Sequence, residues 1–208
     1  MNKLYYYNLS IEEIKKIQDA KIKPKLLLHA CCAPCSCFPL MFLSKYFDIT
    51  IYYNNSNIYP KEEYEIRLNE LKSFIQKYYP NIDIIIPNYD YDNYIKDLIP
   101  YKDLPELSTR CFICYAKRMD EAYRFANENH YDYFCTVMTI SRQKDSIKLN
   151  EIGHALSHKY PNTKYFYSDF KKKDGALLGN NIAKSLNMYR QQYCGCEFSI
   201  HNKEGKLI

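Results

Sequence analysis

The chain has 208 residues, nine of them cysteine, and a formal net charge of +5 at pH 7. This length is ample for one buried core and fits a single domain. Neither a secretion signal nor an apolar run long enough to span a membrane is present, so we expect a cytoplasmic protein with no membrane partner. The mild positive charge permits a nucleic-acid partner without requiring one. Because cytoplasmic thiols stay reduced, the cysteines indicate metal binding or redox chemistry rather than structural disulfides.

Helices and strands are predicted to alternate along the chain. Ser10, with Glu13 three residues later, forms a capping-box pattern that predicts the start of an N-terminal helix. The apolar runs KLLLHA, DITIYYN, NIDIIIPN, YDYFCTVMTI and TKYFY predict five strands. Further helices are predicted in FPLMFLSKYF, after Pro60, after Cys111, in KDSIKLNEIGHALSHKY and from Asn180 onward.

This alternation is typical of parallel strands joined by crossover helices. We therefore predict an α/β fold of three layers, with a mostly parallel, Rossmann-like sheet and a cysteine-rich C-terminal segment. A single domain is expected over residues 1–208, with a helical extension at 1–24 and the C-terminal segment at 180–208. Open parallel sheets bind ligands beyond the carboxyl ends of their strands. Cys31 and Cys32 directly follow the first predicted strand and should lie at that edge.

Three groups of cysteines stand out: a vicinal pair in a turn with four cysteines in seven positions, a C-x-x-C motif and a C-G-C motif. Their members are Cys31 and Cys32, Cys111 and Cys114, and Cys194 and Cys196, respectively. The C-x-x-C lies where a predicted helix begins, and a helix N-terminus favours the thiolate form that metals bind. Cys135 stands alone in an apolar strand, and we expect it in the core because free cysteine is usually buried.

Spacing alone leaves the inorganic chemistry open. A vicinal pair and a C-x-x-C together supply the four thiolates that an iron–sulfur cube takes. Structural zinc usually takes two C-x2-4-C knuckles, and only one pair here has that spacing. Both centres prefer thiolates, so ligand type does not separate them. An iron–sulfur cluster, a structural zinc ion and dithiol chemistry therefore remain, in that order of preference.

A resemblance to a known family rests on several segments rather than one motif. The segments are LLLHACCAPCS, YYNNSNIYPKEEYEIR, RCFICYAKRM, TISRQKDSIKLNEIG, SDFKKKDG and YRQQYCGCEFS. From about Lys25 to about Ser199, the chain resembles the cobalamin-independent epoxyqueuosine reductases, the QueH family. The resemblance implies a cytoplasmic oxidoreductase that reduces epoxyqueuosine to queuosine at the wobble position of tRNA, the last step of queuosine biosynthesis. It also implies a [4Fe–4S] cluster, an additional mononuclear iron and an external electron donor.

The resemblance further implies a role for each group of cysteines. The residues that match the family's cluster ligands are Cys31, Cys32, Cys111 and Cys114. Cys194 and Cys196 match its redox-active disulfide and are the candidate catalytic pair. Cys35 lies within the shared motif and is a candidate ligand of the second iron, whereas Cys37 receives no role.

Basic residues near these motifs are candidates for contacts with RNA. Arg190 precedes the C-G-C and is a candidate for a phosphate or base contact, although a surface salt bridge is the ordinary alternative. The run Lys171, Lys172 and Lys173 is a candidate phosphate-binding ridge, and its ordinary alternative is a solvated face.

Two other functions remain possible from the sequence. The first is an iron–sulfur-dependent tRNA thiolation enzyme, which should carry a glycine-serine-rich pyrophosphate loop after the first strand. This chain has HACCAPCS there instead. The second is a non-catalytic, zinc-binding nucleic-acid module, which would be colourless where an iron–sulfur protein is brown.

Overall fold

A computed structural model describes residues 3–204 of the protein, with only the backbone described for 201–204. Helices and strands alternate, as the sequence predicts. The helices in this part of the chain are α1 (Tyr5–Asp19), α2 (Ala33–Leu43), α3 (Lys61–Tyr78), α4 (Tyr91–Ile95), α5 (Thr109–Glu128), α6 (Ser146–Lys159), α7 (Gly175–Ser185) and α8 (Glu197–Glu204). The strands are β1 (Lys25–His29), β2 (Asp48–Tyr52), β3 (Asp83–Ile85), β4 (Tyr133–Thr136) and β5 (Lys164–Tyr165). Short 3-10 turns lie at Ile99–Tyr101 and Val137–Ile140.

The five strands form one sheet in the order β3-β2-β1-β4-β5, and every pair is parallel. His29, the last residue of β1, is in register with Tyr52 of β2 and Thr136 of β4, so these strands end at one level. From β1, the chain adds β2 and then β3 on one side of the sheet. It then adds β4 and β5 on the other side of β1. The crevice beyond β1 and β4 is therefore the switch point of the sheet, where open α/β folds bind ligands.

Strand β1 is buried on both faces, which accounts for its uninterrupted apolar run. Leu26 and Leu28 point into one cluster, and Leu27 points into the other. The first cluster contains side chains of α1, α2, α3 and α7, and the second contains side chains of α5 and α6. Helices thus cover both faces of the sheet, and the three-layer α/β prediction is confirmed. Cys135 of β4 is fully buried in the first cluster, as expected.

The predicted capping box at Ser10 is wrong. Helix α1 begins at Tyr5, so Ser10 lies inside the helix and forms no capping box. Its backbone is already in the helical hydrogen-bond pattern, and its hydroxyl donates to the Tyr7 carbonyl at 2.6 Å. Glu13 instead accepts a hydrogen bond from the Tyr133 hydroxyl at 2.6 Å, which ties α1 to β4.

The C-terminal segment is more helical than predicted. Helix α7 begins at Gly175 rather than Asn180, so the proposed boundary at 180 falls inside a helix. A Cβ at Gly175 would lie 2.2 Å from the Phe170 carbonyl oxygen, so only glycine fits where this helix meets the preceding turn. The division of the chain into one domain with two extensions stays a prediction. Among residues 3–204, no helix has both the length and the apolar composition that crossing a bilayer requires.

Candidate metal centre

Three cysteine thiols meet where β1 passes into α2. Cys32 is the residue before α2, Cys31 precedes it, and Cys35 lies in the first turn of the helix. Their sulfur atoms all lie within 4.8 Å of one another, and those of Cys31 and Cys32 are 3.9 Å apart. Among residues 3–200, whose side chains the structure describes, no other three His, Cys, Asp or Glu side chains come so close together. This group has the ligand type and spacing that a thiophilic metal requires.

The three thiols are electrostatically coupled in a way that favours one thiolate among them. Hydrogen bonds from Cys32 and from Cys35 lower the pKa of Cys31 well below its usual value. The same interaction with Cys31 raises the pKa of Cys32 to about 12, and it also raises the pKa of Cys35. All three thiols can lose their protons when a metal cation binds, because the cation then supplies the positive charge that stabilises the thiolates.

The second pair of predicted ligands lies on α5. This helix begins at Thr109, so Cys111 lies inside its first turn rather than before it, and Cys114 lies one turn further on. The Tyr94 hydroxyl of α4 hydrogen-bonds the Cys114 sulfur at 3.1 Å, and burial raises the pKa values of both thiols. Neither sulfur atom lies within 4.8 Å of all three sulfur atoms of the Cys31, Cys32 and Cys35 group. Their role as ligands stays a prediction.

A buried arginine lies beside both sets of cysteines. Arg118 is four residues after Cys114 on the same face of α5 and is 2% exposed. One of its terminal nitrogens hydrogen-bonds the Asn55 side-chain oxygen and lies 3.3 Å from His29 Nε2, while its Nε has no partner among the described residues. Burial lowers the pKa of Arg118, but the thiolates of Cys114 and Cys31 outweigh burial and raise it. The unpaired Nε–H fits an anionic group in this position.

A buried lysine provides the second cation. Lys144 follows β4 and the 3-10 turn after it, and it is 8% exposed. Burial lowers the pKa of its ammonium group, but nearby thiolates raise it above the usual value, with Cys194 first and then Cys31 and Cys35. Lys144 therefore lies close to the three-cysteine group and to the C-G-C motif. Charged side chains are rarely buried without such partners.

The C-G-C motif is held in place by a buried ion pair on α3. Arg67, which is 2% exposed, pairs with Glu63 at 2.7 Å and donates to the backbone carbonyls of Cys194 and Tyr193 at 3.1 and 3.4 Å. Gly195 has φ +122°, and a Cβ there would lie 3.0 Å from an Arg67 terminal nitrogen. The glycine of the motif is thus required both by its backbone conformation and by the close approach of the arginine.

The predicted disulfide pair is present as two thiols, and all nine cysteines are free. Cys194 is partly exposed, whereas Cys196 is buried with its sulfur 3.1 Å from the Ser199 hydroxyl. Burial raises the pKa of Cys196 to about 12. The Gln191 side chain just before the motif donates to the Cys32 sulfur at 3.3 Å, which joins this segment to the three-cysteine group.

The buried Arg67–Glu63 pair allows a stability prediction. Replacing Arg67 by methionine should lower the free energy of unfolding by about 3 kcal/mol, because it leaves the Glu63 carboxylate buried without its partner. Equilibrium urea unfolding measures the change. A matched control is Lys16→Met, which removes the exposed lysine of a helical pair with Glu13 at 3.5 Å and should change stability little, because Glu13 keeps its ion pair with Lys164. Equal losses in the two variants would contradict the importance of burial at Arg67.

The candidate RNA-binding residues differ in accessibility. Arg190 and Lys173 are exposed. Lys171 is half-buried and donates to a backbone carbonyl at 2.9 Å, and Lys172 lies 3.8 Å from an Asp169 carboxylate oxygen. Most of the lysine run is thus engaged within the protein, which leaves Lys173 as its most accessible member. A role in RNA binding stays a prediction for all four basic residues.

Sequence reasoning assigned no role to Lys144, Arg118, Arg67 or Tyr94. The three cations do lie within segments that carry the resemblance, so their positions were a signal. Lys144 lies in TISRQKDSIKLNEIG, Arg118 in RCFICYAKRM and Arg67 at the end of YYNNSNIYPKEEYEIR. Charged residues are nevertheless usually interpreted as surface, because most of them are. Only the contacts across the fold show that these cations are buried next to thiols.

Comparison with known proteins identifies the family of this chain. The model of the family described as "Epoxyqueuosine reductase QueH" matches residues 26–202, a range that includes all three groups of cysteines. Curated proteins named epoxyqueuosine reductase QueH are similar over most of their length. The protein of Staphylococcus aureus (strain Mu50) is 36% identical over 99% of this chain and 92% of its own. The protein of Streptococcus pyogenes serotype M1 is 32% identical over 95% of this chain and 79% of its own length. The protein of Thermotoga maritima is 28% identical over 87% of this chain and 93% of its own length. The chain belongs to the epoxyqueuosine reductase QueH family.

Proposed function

We propose that this protein is an epoxyqueuosine reductase that acts on tRNA in the cytoplasm. It removes the epoxide oxygen of epoxyqueuosine at the wobble position in a two-electron reduction and leaves queuosine, the last step of queuosine biosynthesis. The observation that carries the proposal is the three-thiol group beside two buried cations, at the switch point of the sheet of a QueH-family chain. Such an edge is where an α/β enzyme binds the molecule it transforms.

The proposed cofactor is a [4Fe–4S] cluster with a second iron close by. Its ligands are Cys31, Cys32, Cys111 and Cys114, and Cys35 is the protein ligand of the second iron. The residues present fit a net-anionic metal centre, since the donors are thiolates and the unpaired Nε–H of Arg118 lies among them. When bound, this centre supplies single electrons and a Lewis acid for the epoxide oxygen.

The C-G-C motif supplies the proposed two-electron store. Removing an epoxide oxygen takes two electrons and two protons: both carbon–oxygen bonds break, an alkene forms and the oxygen leaves as water. Cys194 and Cys196 release two electrons and two protons when both S–H bonds break and one S–S bond forms. An external reductant must then reopen the disulfide. The proposal therefore requires an electron donor of its own, which regenerates the dithiol after each turnover.

The residues around the thiols have distinct parts in this proposal. Lys144 and Arg118 offset the negative charge of the thiolates, which keeps the sulfurs available as ligands in a buried site. Arg67 fixes the backbone of the C-G-C turn, and Tyr94 donates a hydrogen bond to Cys114. None of these groups needs to change its protonation state for the electron balance to close.

The proposal is tested with protein purified and loaded with iron and sulfide without oxygen. The substrate is an anticodon stem-loop RNA that carries epoxyqueuosine, and the product is identified by nucleoside mass spectrometry. The expected result is a brown protein with bound iron and sulfide that converts the RNA to its queuosine form when a reductant is present. A colourless protein that binds zinc and converts nothing would refute the proposal and favour the zinc module.

A further inference from the structure

A cavity of about 290 Å³ opens next to the three-thiol group. Its walls come from the first turn of α2, the segment after β4, one face of α7 and the segment before the C-G-C motif. The lining residues include Cys35, Ile140, Arg142, Ala176, Arg190 and Gln191. The first two of these walls follow β1 and β4, so the cavity lies in the crevice at the switch point of the sheet.

The interior of the cavity combines an apolar wall with amide groups. Ala176, Gly179 and Ala183 of α7 share one helix face and, with Ile140, form an apolar wall. A Cβ at Gly179 would lie 3.2 Å from Ile140 Cδ1, so the wall is already at close contact. Amide side chains, including that of Gln191, supply hydrogen-bond donors and acceptors. Proteins that read a single extruded base combine apolar or aromatic side chains against the base with polar groups at its edge.

The mouth of the cavity is positively charged. Arg142 and Arg190 both line it and both are exposed. Neither forms a salt bridge within the part of the chain that the structure describes. Guanidinium groups that are exposed and unpaired are well suited to bind phosphate, which they contact through two parallel hydrogen bonds.

We propose that this cavity binds the modified purine base of the RNA substrate, turned out of the anticodon loop, while Arg142 and Arg190 bind the phosphates next to it. The inference rests on the proposed function. The volume is near the lower limit of ligand pockets, roughly 300 Å³, so the cavity admits one base with its ring substituent. The floor at Cys35 places that substituent beside the thiols, and Gln191 links the cavity to Cys32 through its hydrogen bond at 3.3 Å.

The first test fills the cavity and measures binding rather than turnover. Ala176→Leu adds three carbon atoms on the cavity side of α7, and Asn181→Leu places the same side chain on an exposed position of the same helix. The iron-loaded proteins are titrated with two stem-loops, one carrying epoxyqueuosine and one carrying guanosine at the same position. The unaltered protein and Asn181→Leu should prefer the modified RNA, and Ala176→Leu should lose that preference by at least about tenfold. A preference retained by Ala176→Leu would overturn the base-binding assignment.

The second test examines the mouth and uses a surface variant that leaves the core intact. Arg142→Gln should weaken binding of both stem-loops equally and reduce the slope of log affinity against log salt by about 0.7, the value for one phosphate contact on single-stranded nucleic acid. An unchanged slope would overturn the phosphate contact. Conversion by the unaltered protein is scored separately. If conversion occurs but the cavity variants bind normally, the function stands and the cavity assignment fails.

Discussion

Replacing Cys194 by serine is expected to abolish conversion of epoxyqueuosine-containing RNA, by more than about a thousandfold, because a hydroxyl cannot form the disulfide that delivers the electron pair. The visible absorbance and the iron content should stay as in the unaltered protein, since this residue is not among the proposed cluster ligands. Its backbone carbonyl should keep its hydrogen bond from Arg67, so the turn itself should be retained.

A single-turnover design makes this prediction sharp. Reduced, iron-loaded protein is freed of external reductant and mixed with excess RNA without oxygen. The unaltered protein should form product up to the amount of enzyme and then stop, with its C-G-C thiols oxidised. Cys194→Ser should form essentially none, and Cys196→Ser should behave in the same way. Cys37→Ser is the matched control, because Cys37 is buried on α2 and is not part of the proposed pair. Normal turnover by Cys194→Ser would exclude the dithiol role.

Removing any one of the four proposed cluster ligands should lower bound iron and sulfide by at least about tenfold. The variants are alanine replacements of Cys31, Cys32, Cys111 and Cys114. Iron and sulfide are measured after anaerobic reconstitution. Cys135→Ala is the matched control: it removes a buried sulfur from the core at a cost of about 1 kcal/mol but should keep its metal content.

Cys35 distinguishes the two ligand sets that the chain permits. Its sulfur atom lies within 4.8 Å of those of Cys31 and Cys32, whereas Cys111 and Cys114 do not belong to that group. If Cys35 holds only the second iron, Cys35→Ala should keep its sulfide and lose part of its iron. If Cys35→Ala lost all sulfide while Cys111→Ala kept it, the cluster ligands would be Cys31, Cys32 and Cys35, and the proposed set would be wrong.

The sequence by itself determined the order of helices and strands, the α/β class and the positions of the cysteines relative to them. These features are local: an apolar run buried on both faces predicts a strand such as β1, and a helix-breaking proline such as Pro60 predicts the start of α3. The family resemblance also rests on linear motifs, and the comparisons confirm it over residues 26–202. The capping box at Ser10 failed because the same short pattern occurs inside helices, where only the neighbouring backbone decides its role.

Only the tertiary structure decided which residues surround the thiols. Lys144 and Arg118 are 26 positions apart, yet both are buried beside Cys31, and Arg67 reaches a carbonyl 127 residues away. The strand order β3-β2-β1-β4-β5, which creates the crevice, is also a long-range property. No local pattern contains this information, because a charged side chain has the same sequence signature whether it is solvated or paired in the interior. Its position depends on the free energy of burying it with a partner, and the fold supplies that partner.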